Sequence, residues 1–208
     1  MAILESIKNA VFNGDAEATV KFIETAIREG VGIRVILNDG LIAGMSDVGV
    51  KFKNNEIYVP EVLIAARAMQ FGMSALKPYI GKAGIKTKGT VIIGTVKGDL
   101  HDIGKNLVIL MLEGAGYKAV DLGIDVEAEK FVAAVKEYEP QVVGLSALLT
   151  STMPEMEKVI ALVKPYQVKV MVGGAPVSQE FADRIGADAY AQDAATAVEK
   201  VNQLLGGS

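Results

Sequence analysis

Five short runs, the first, third and fourth of them carrying two or more β-branched residues, recur through the second half of the chain: "TVIIGTV" (90–96), "KAVDLG" (118–123), "QVVGLS" (141–146), "VKVMVGG" (168–174) and "ADAYAQ" (187–192). Segments of helical period lie between them. A strand whose two faces are both covered reads as a continuous apolar run, and strands alternating with helices build right-handed βαβ units. The pattern predicts an α/β domain of Rossmann-like or flavodoxin-like type, with a five-stranded parallel sheet, over residues 90–208.

The first half has a different period. In "PEVLIAARAMQFGMSALKPYI" the residues Val62, Ala66, Met69, Met73, Leu76 and Ile80 recur at steps of four and three, which puts them on one face of a helix with Pro60 in its first turn. Leu37, Leu41, Met45, Val48 and Phe52 repeat the pattern, with Gly40, Gly44 and Gly49 permitting close approach of a neighbour. Shorter helices are expected at 2–12 and 15–29, with Asp15 as N-cap and Gly30 as the stop. Together these predict a four-helix bundle over residues 1–81. Periodicity lapses in "GKAGIKTKG", so residues 82–89 are expected to be a linker.

Composition narrows the function. The formal charge is −4 with no block of Lys and Arg, which leaves no electrostatic footprint for nucleic acid or anionic lipid. No apolar run approaches the ~20 residues of a membrane span, and the opening "MAILESIKNAVFNGD" lacks the apolar core of a signal peptide, so a cytoplasmic protein is expected. There is no cysteine, so any metal must be held by nitrogen or oxygen or arrive inside a cofactor.

Ligands of open parallel sheets bind beyond the carboxyl ends of the strands. The loops there are "KGDLHDIGKN", "SALLTSTMPEM" and "GGAPVS", and the first holds His101, the only histidine among 208 residues. Taken alone, His101 can be a solvated loop residue, a general acid or base, or one metal ligand whose far ring nitrogen is held by Asp99. One histidine and one carboxylate are too few for a protein-built zinc site, whereas a cofactor bringing its own metal needs a single axial ligand.

Asp99-x-His101-x-x-Gly104, followed by Ser146-x-Leu148 and Gly173-Gly174, resembles the cobalamin-binding signature of corrinoid proteins in the methionine synthase and methyltransferase group. The segment "DVGVKFKNNEIYVPEVLIAARAMQFGMSAL" is similar to the helical cap that precedes the cobalamin domain in methyl-carrying members, so the resemblance spans nearly the whole chain. It implies cobalamin or a related corrinoid bound base-off, with His101 as lower axial ligand of cobalt. It further implies that Asp99 orients the imidazole and that Thr152 stands where methionine synthase has a serine completing the relay.

By the same resemblance Ser146, Leu148 and Thr150 line the slot for the displaced nucleotide tail, and Gly173 and Gly174 let that tail pass close to the backbone. Gly98, Ile103 and Gly104 sit against the corrin's lower face, with Asp102 among the cofactor-binding residues of the loop. Tyr190 either flanks the tail or, as the residue pattern favours, belongs to the core. In the cap Tyr58, Val59 and Leu63 are candidates to shield the upper face, while Met69 belongs to the packed side of its helix. The implied function is methyl carriage on cobalt between a substrate:corrinoid methyltransferase and a second one that delivers to tetrahydrofolate or coenzyme M, with a reductive activase as a further partner. On this reading the chain is not catalytic on its own, and the linker is the hinge that lets the cap swing aside. The rivals are a cobalamin-sensing regulator, which needs an output module, a mutase cobalamin subunit, and a flavodoxin-like signalling domain, for which Asp99 and Asp102 make a thin acidic pocket.

Overall fold

The computed structural model describes residues 2–80, 83 and 86–206. The chain divides into two compact units, Met1–Thr87 with Gly114–Gly116, and Lys88–Glu113 with Tyr117–Ser208. The linker expected at 82–89 falls in part on residues 82, 84 and 85, which lie outside the described residues.

The first unit is helical: α1 (Ala2–Phe12), α2 (Ala16–Arg28), α3, and α4 (Val59–Ile80). Asp15 caps α2 by accepting the Ala18 amide at 2.9 Å, and Gly30, at φ +77°, follows its end. The third helix runs as Ile33–Val35, a π-helical turn over Ile36–Ile42, and Ala43–Lys53. The sequence period did not announce the π turn. Apolar residues three fours apart drift around a regular α-helix by about 40° per step, and one wider turn brings Leu37, Leu41 and Met45 back to a common buried face. Val62, Ala66, Met69 and Leu76 of α4 are buried as their spacing predicts, and Met69 is indeed a packing residue. Gly40 and Gly44 press against Ile7 and the Lys8 carbonyl of α1, where a Cβ would fall 3.0 and 2.8 Å away.

The second unit is β1 (Thr90–Thr95), α5 (Ile103–Gly114), β2 (Lys118–Asp121), α6 (Ala128–Tyr138), β3 (Val142–Ser146), α7 (Met153–Val163), β4 (Lys169–Gly173), α8 (Gln179–Ile185), β5 (Ala189–Ala191) and α9 (Ala194–Leu204). All four strand pairings are parallel, in the order β2-β1-β3-β4-β5. Ile92, Val143 and Val172 are almost fully buried under Phe131, Met156 and Phe181 from the helices, each such side chain stabilising the fold by about 1.5–3 kcal/mol. The chain leaves β1 toward β2 on one side and later fills β3 on the other, so the sheet has a topological switch point between β1 and β3, where a crevice opens at the carboxyl ends. Thr95, Ser146, Gly173 and Ala191 stand in one rank across that rim. Among the described residues no helix is long and apolar enough to cross a membrane.

Candidate cofactor site

The histidine loop leaves the buried end of β1 at the switch point. Val96 still pairs with Val126 and gives its amide to the Ser146 carbonyl. The chain then turns through Gly98 at φ +79°, a left-handed conformation that disfavours side chains. The turn drops the Asp99 side chain under the loop, where it is 0% exposed, and leaves the His101 side chain 52% exposed above it. Asp102 then starts α5, its carbonyl taking the Asn106 amide and its carboxylate the Asn106 side chain.

Asp99 is the hub. One carboxylate oxygen accepts the His101 ring at Nδ1, 2.8 Å away, and the His101 amide at 3.1 Å. The other accepts the Leu148 amide at 2.7 Å, the Leu149 amide at 3.2 Å and the Thr152 hydroxyl at 2.8 Å. Burial works against its ionisation, but the Leu148 amide, the His101 ring, the Thr152 hydroxyl and the His101 amide outweigh it and hold the carboxyl well below the usual carboxylate range. Ionised, Asp99 accepts only, so in a neutral ring Nδ1 carries the proton and the lone pair stays on Nε2. Nε2 has no hydrogen-bond partner among the described residues. The arrangement is that of a metal ligand whose far nitrogen is held by a carboxylate. Among the described residues no three acidic or histidine side chains gather to hold an ion, so a metal bound here must come with its other ligands.

Exposed apolar side chains stand in the loops at the carboxyl ends of β1, β2 and β3. Ile103 is 80% and Leu100 66% exposed, and Leu148, Leu149 and Ile124 are also open. Gly104 is the second residue of α5, where glycine weakens a helix, and a Cβ there would meet nothing within 4 Å. Among the described residues nothing near that position requires glycine.

The remaining residues singled out in the sequence are distributed as follows. Thr152 lies buried at the start of α7, 53 residues from Asp99 in the chain and in contact with it. Its single hydroxyl hydrogen faces two acceptors, Asp99 and the Leu149 carbonyl at 2.9 Å, and the charged one has the stronger claim. Ser146 is half-buried at the end of β3, and Thr150 is exposed in the loop beyond. The glycine pair has a reason within the fold: a Cβ on Gly174, at φ +129°, would fall 1.8 Å from the Ala147 carbonyl oxygen, and one on Gly173 2.8 Å from that of Ala191. Tyr190 packs against the hydrophobic core. In the helical unit Tyr58 is 66% exposed and Val59 and Leu63 are also open.

Sequence reasoning passed over the loop after β2. There Asp125, at φ +52°, accepts the Gly98 amide at 2.7 Å and donates its own amide to the Asp99 carbonyl at 3.0 Å. Also unforeseen were Thr95, whose fully buried hydroxyl donates to the His101 carbonyl at 2.9 Å, and Lys105, buried with its ammonium 2.5 Å from Asp121. The available signal was an aspartate beside glycine at the carboxyl end of a strand, in "DLGIDV".

A family model described as a B12 binding domain matches residues 89–201, and a second of the same description matches residues 3–77. A corrinoid protein of Desulfitobacterium hafniense is 40% identical, with 99% of both chains covered. Trimethylamine corrinoid protein 1 of Methanosarcina acetivorans is 43% identical over 98% of this chain and 97% of its own. The methanol:cobalamin methyltransferase complex MtaBC of Methanosarcina barkeri contains a similar chain: TM-score 0.89, 33% identity, covering 100% of this chain and 81% of that one.

Proposed function

The chain belongs to the B12-binding family of corrinoid proteins, and on that premise we propose that it carries a methyl group on a corrinoid bound base-off, with Nε2 of His101 as lower axial ligand of cobalt. When bound, the corrinoid supplies a cobalt that accepts a methyl group and surrenders it again. The observation that carries the proposal is the His101 ring itself: Nδ1 tied to a buried carboxylate, Nε2 free at the switch point, and an open glycine and exposed apolar side chains beside it.

The chain's residues then divide the work. Asp99 fixes the tautomer and aims Nε2 outward. Its carboxyl, held below the ordinary range, stays an acceptor for the ring. Thr152 keeps the far oxygen of Asp99 supplied with a donor, and can turn that hydrogen to the Leu149 carbonyl. Gly98, Ile103 and Gly104 form the floor for the corrin, with Asp102 holding the start of α5; Ser146, Leu148, Thr150, Gly173 and Gly174 line the way for the nucleotide tail. Tyr58, Val59 and Leu63 are the cap's candidates to shield the upper face.

A carrier needs a giver and a taker. The partners we propose are a substrate:corrinoid methyltransferase, drawing on a methylated amine or methanol as the names of the relatives suggest, and a second methyltransferase delivering to tetrahydrofolate or coenzyme M. A reductive activase serves the same cofactor, and the setting is the cytoplasm. The test is reconstitution with hydroxocobalamin: the wild type turns red and His101→Ala shifts the spectrum of the bound cofactor. An unchanged spectrum removes the ligand assignment, and a protein that stays colourless removes the whole reading.

A further inference from the structure

We propose that Thr95 and Asp125 are positioning residues, which set the histidine loop in its ligand-presenting shape before any cofactor binds; the inference rests on reading His101 as the axial ligand. Asp99 holds the ring, but a ring bond alone does not fix the main chain that carries it. A free backbone residue loses conformational entropy when it is ordered, so a loose loop would weaken every ligand it binds.

The structure ties that main chain down from two sides. From below, Thr95 ends β1 with its hydroxyl fully buried and donated to the His101 carbonyl at 2.9 Å. Thr95 is itself immobilised, its amide bonded to the Gly123 carbonyl and its carbonyl to the Val126 amide, each at 3.0 Å. From the side, Asp125 grips the Gly98–Asp99 peptides by two reciprocal bonds, Oδ1 to the Gly98 amide and its amide to the Asp99 carbonyl. It does so from a left-handed backbone conformation, at φ +52°, which aspartate tolerates better than most side chains. The Gly123–Val126 stretch supplies the Asp125 tie and holds the main chain of Thr95, which supplies the other, so the loop after β2 braces the loop after β1. Lys105 and the Gly123 amide converge on Asp121 and anchor that brace at its base.

Two pairs of variants separate the hydrogen bonds from the side-chain volume. Thr95→Val keeps the shape and removes the donor, and Thr95→Ser restores it; Asp125→Ala removes the acceptor, and Asp125→Asn keeps one. Because His101 is the only histidine, imidazole nitrogen resonances in the cofactor-free protein belong to it without assignment. At a fixed alkaline pH the wild type is expected to show the Nδ1–H tautomer, Thr95→Val and Asp125→Ala a mixture, and the two conservative variants the wild-type pattern. Hydroxocobalamin affinity is expected to fall about tenfold in each disruptive variant, and by less than twofold when the same change is made on a His101→Ala background.

An unchanged tautomer with unchanged affinity overturns the proposal. So does an equal loss of affinity on both backgrounds, which would make the two residues part of the general frame. If Thr95→Val does not fold, the exposed loop variant Asp125→Ala carries the test. If wild type and His101→Ala give one bound spectrum, the axial assignment fails while the imidazole resonances still report whether the two residues fix the ring.

Discussion

Replacing Asp99 with Asn keeps the shape and removes one charge, and its effect can be worked out bond by bond. Five hydrogen bonds converge on the carboxylate. An Asn side chain offers one acceptor oxygen and one amine. Placed to serve Leu148, Leu149 and Thr152, the oxygen keeps three bonds, and the amine then faces the His101 amide, donor against donor at about 3.1 Å. It also faces Nδ1, which can remain only by giving up its proton, so the ring switches to the Nε2–H tautomer and loses its free lone pair. The opposite amide orientation sets the amine against three donors and is worse. The one bond lost outright, from the His101 amide to a charged acceptor, is worth about 1.5–3 kcal/mol gross, and removing the cost of burying a charge offsets part of it, leaving a net loss of about 1–2 kcal/mol. The assay is a urea titration read from backbone amide signals in β1 and β3, which reports on the α/β unit alone. The pH dependence has a definite sign. Since the folded carboxyl sits below its unfolded value, its contribution is fully present above about pH 4 and is lost as the pH falls below that. The part of the gap between wild type and variant that comes from the Asp99 charge therefore closes in stronger acid. A variant within 0.5 kcal/mol of wild type at neutral pH, or one that still binds hydroxocobalamin with a His-ligated spectrum, would refute the argument.

Two glycine substitutions probe opposite situations. Gly104→Ala is expected to raise the melting temperature of the cofactor-free protein, by about 0.5–1 kcal/mol in stability, because its Cβ enters open space on a helix; hydroxocobalamin titration should show weaker binding, and undiminished affinity would mean the corrin does not lie there. Gly174→Ala is expected to destabilise the α/β unit by more than about 3 kcal/mol, since both the φ of +129° and the Ala147 carbonyl exclude a Cβ; a variant that unfolds at the wild-type urea concentration would contradict the described turn.

Periodicity was enough to read the helical unit and the five strands, because side chains repeat at the pitch of the element that buries them. Val62, Ala66, Met69 and Leu76 line one side of α4 for that reason, and "VII" (91–93) and "VMV" (170–172) are continuously apolar because helices cover both faces of the sheet. The pairing of Asp99 with His101 was also legible, since two residues of separation confine it to one loop. The π turn in α3 was not: steps of four fit a helix whether it stays regular or widens once.

The sequence by itself determined which elements form and which residue types stand at their carboxyl ends, because both are short-range consequences of chain geometry and burial. Only the tertiary structure decided which of those ends meet. Placing β1 between β2 and β3 brings Thr152 and the Leu148 amide to Asp99 across about fifty residues, and brings Asp125 against Gly98 from the other side. It also gave Gly174 an internal reason and left Gly104 without one. Those meetings depend on the register of parallel strands, a property of pairs of segments that no single segment's composition encodes.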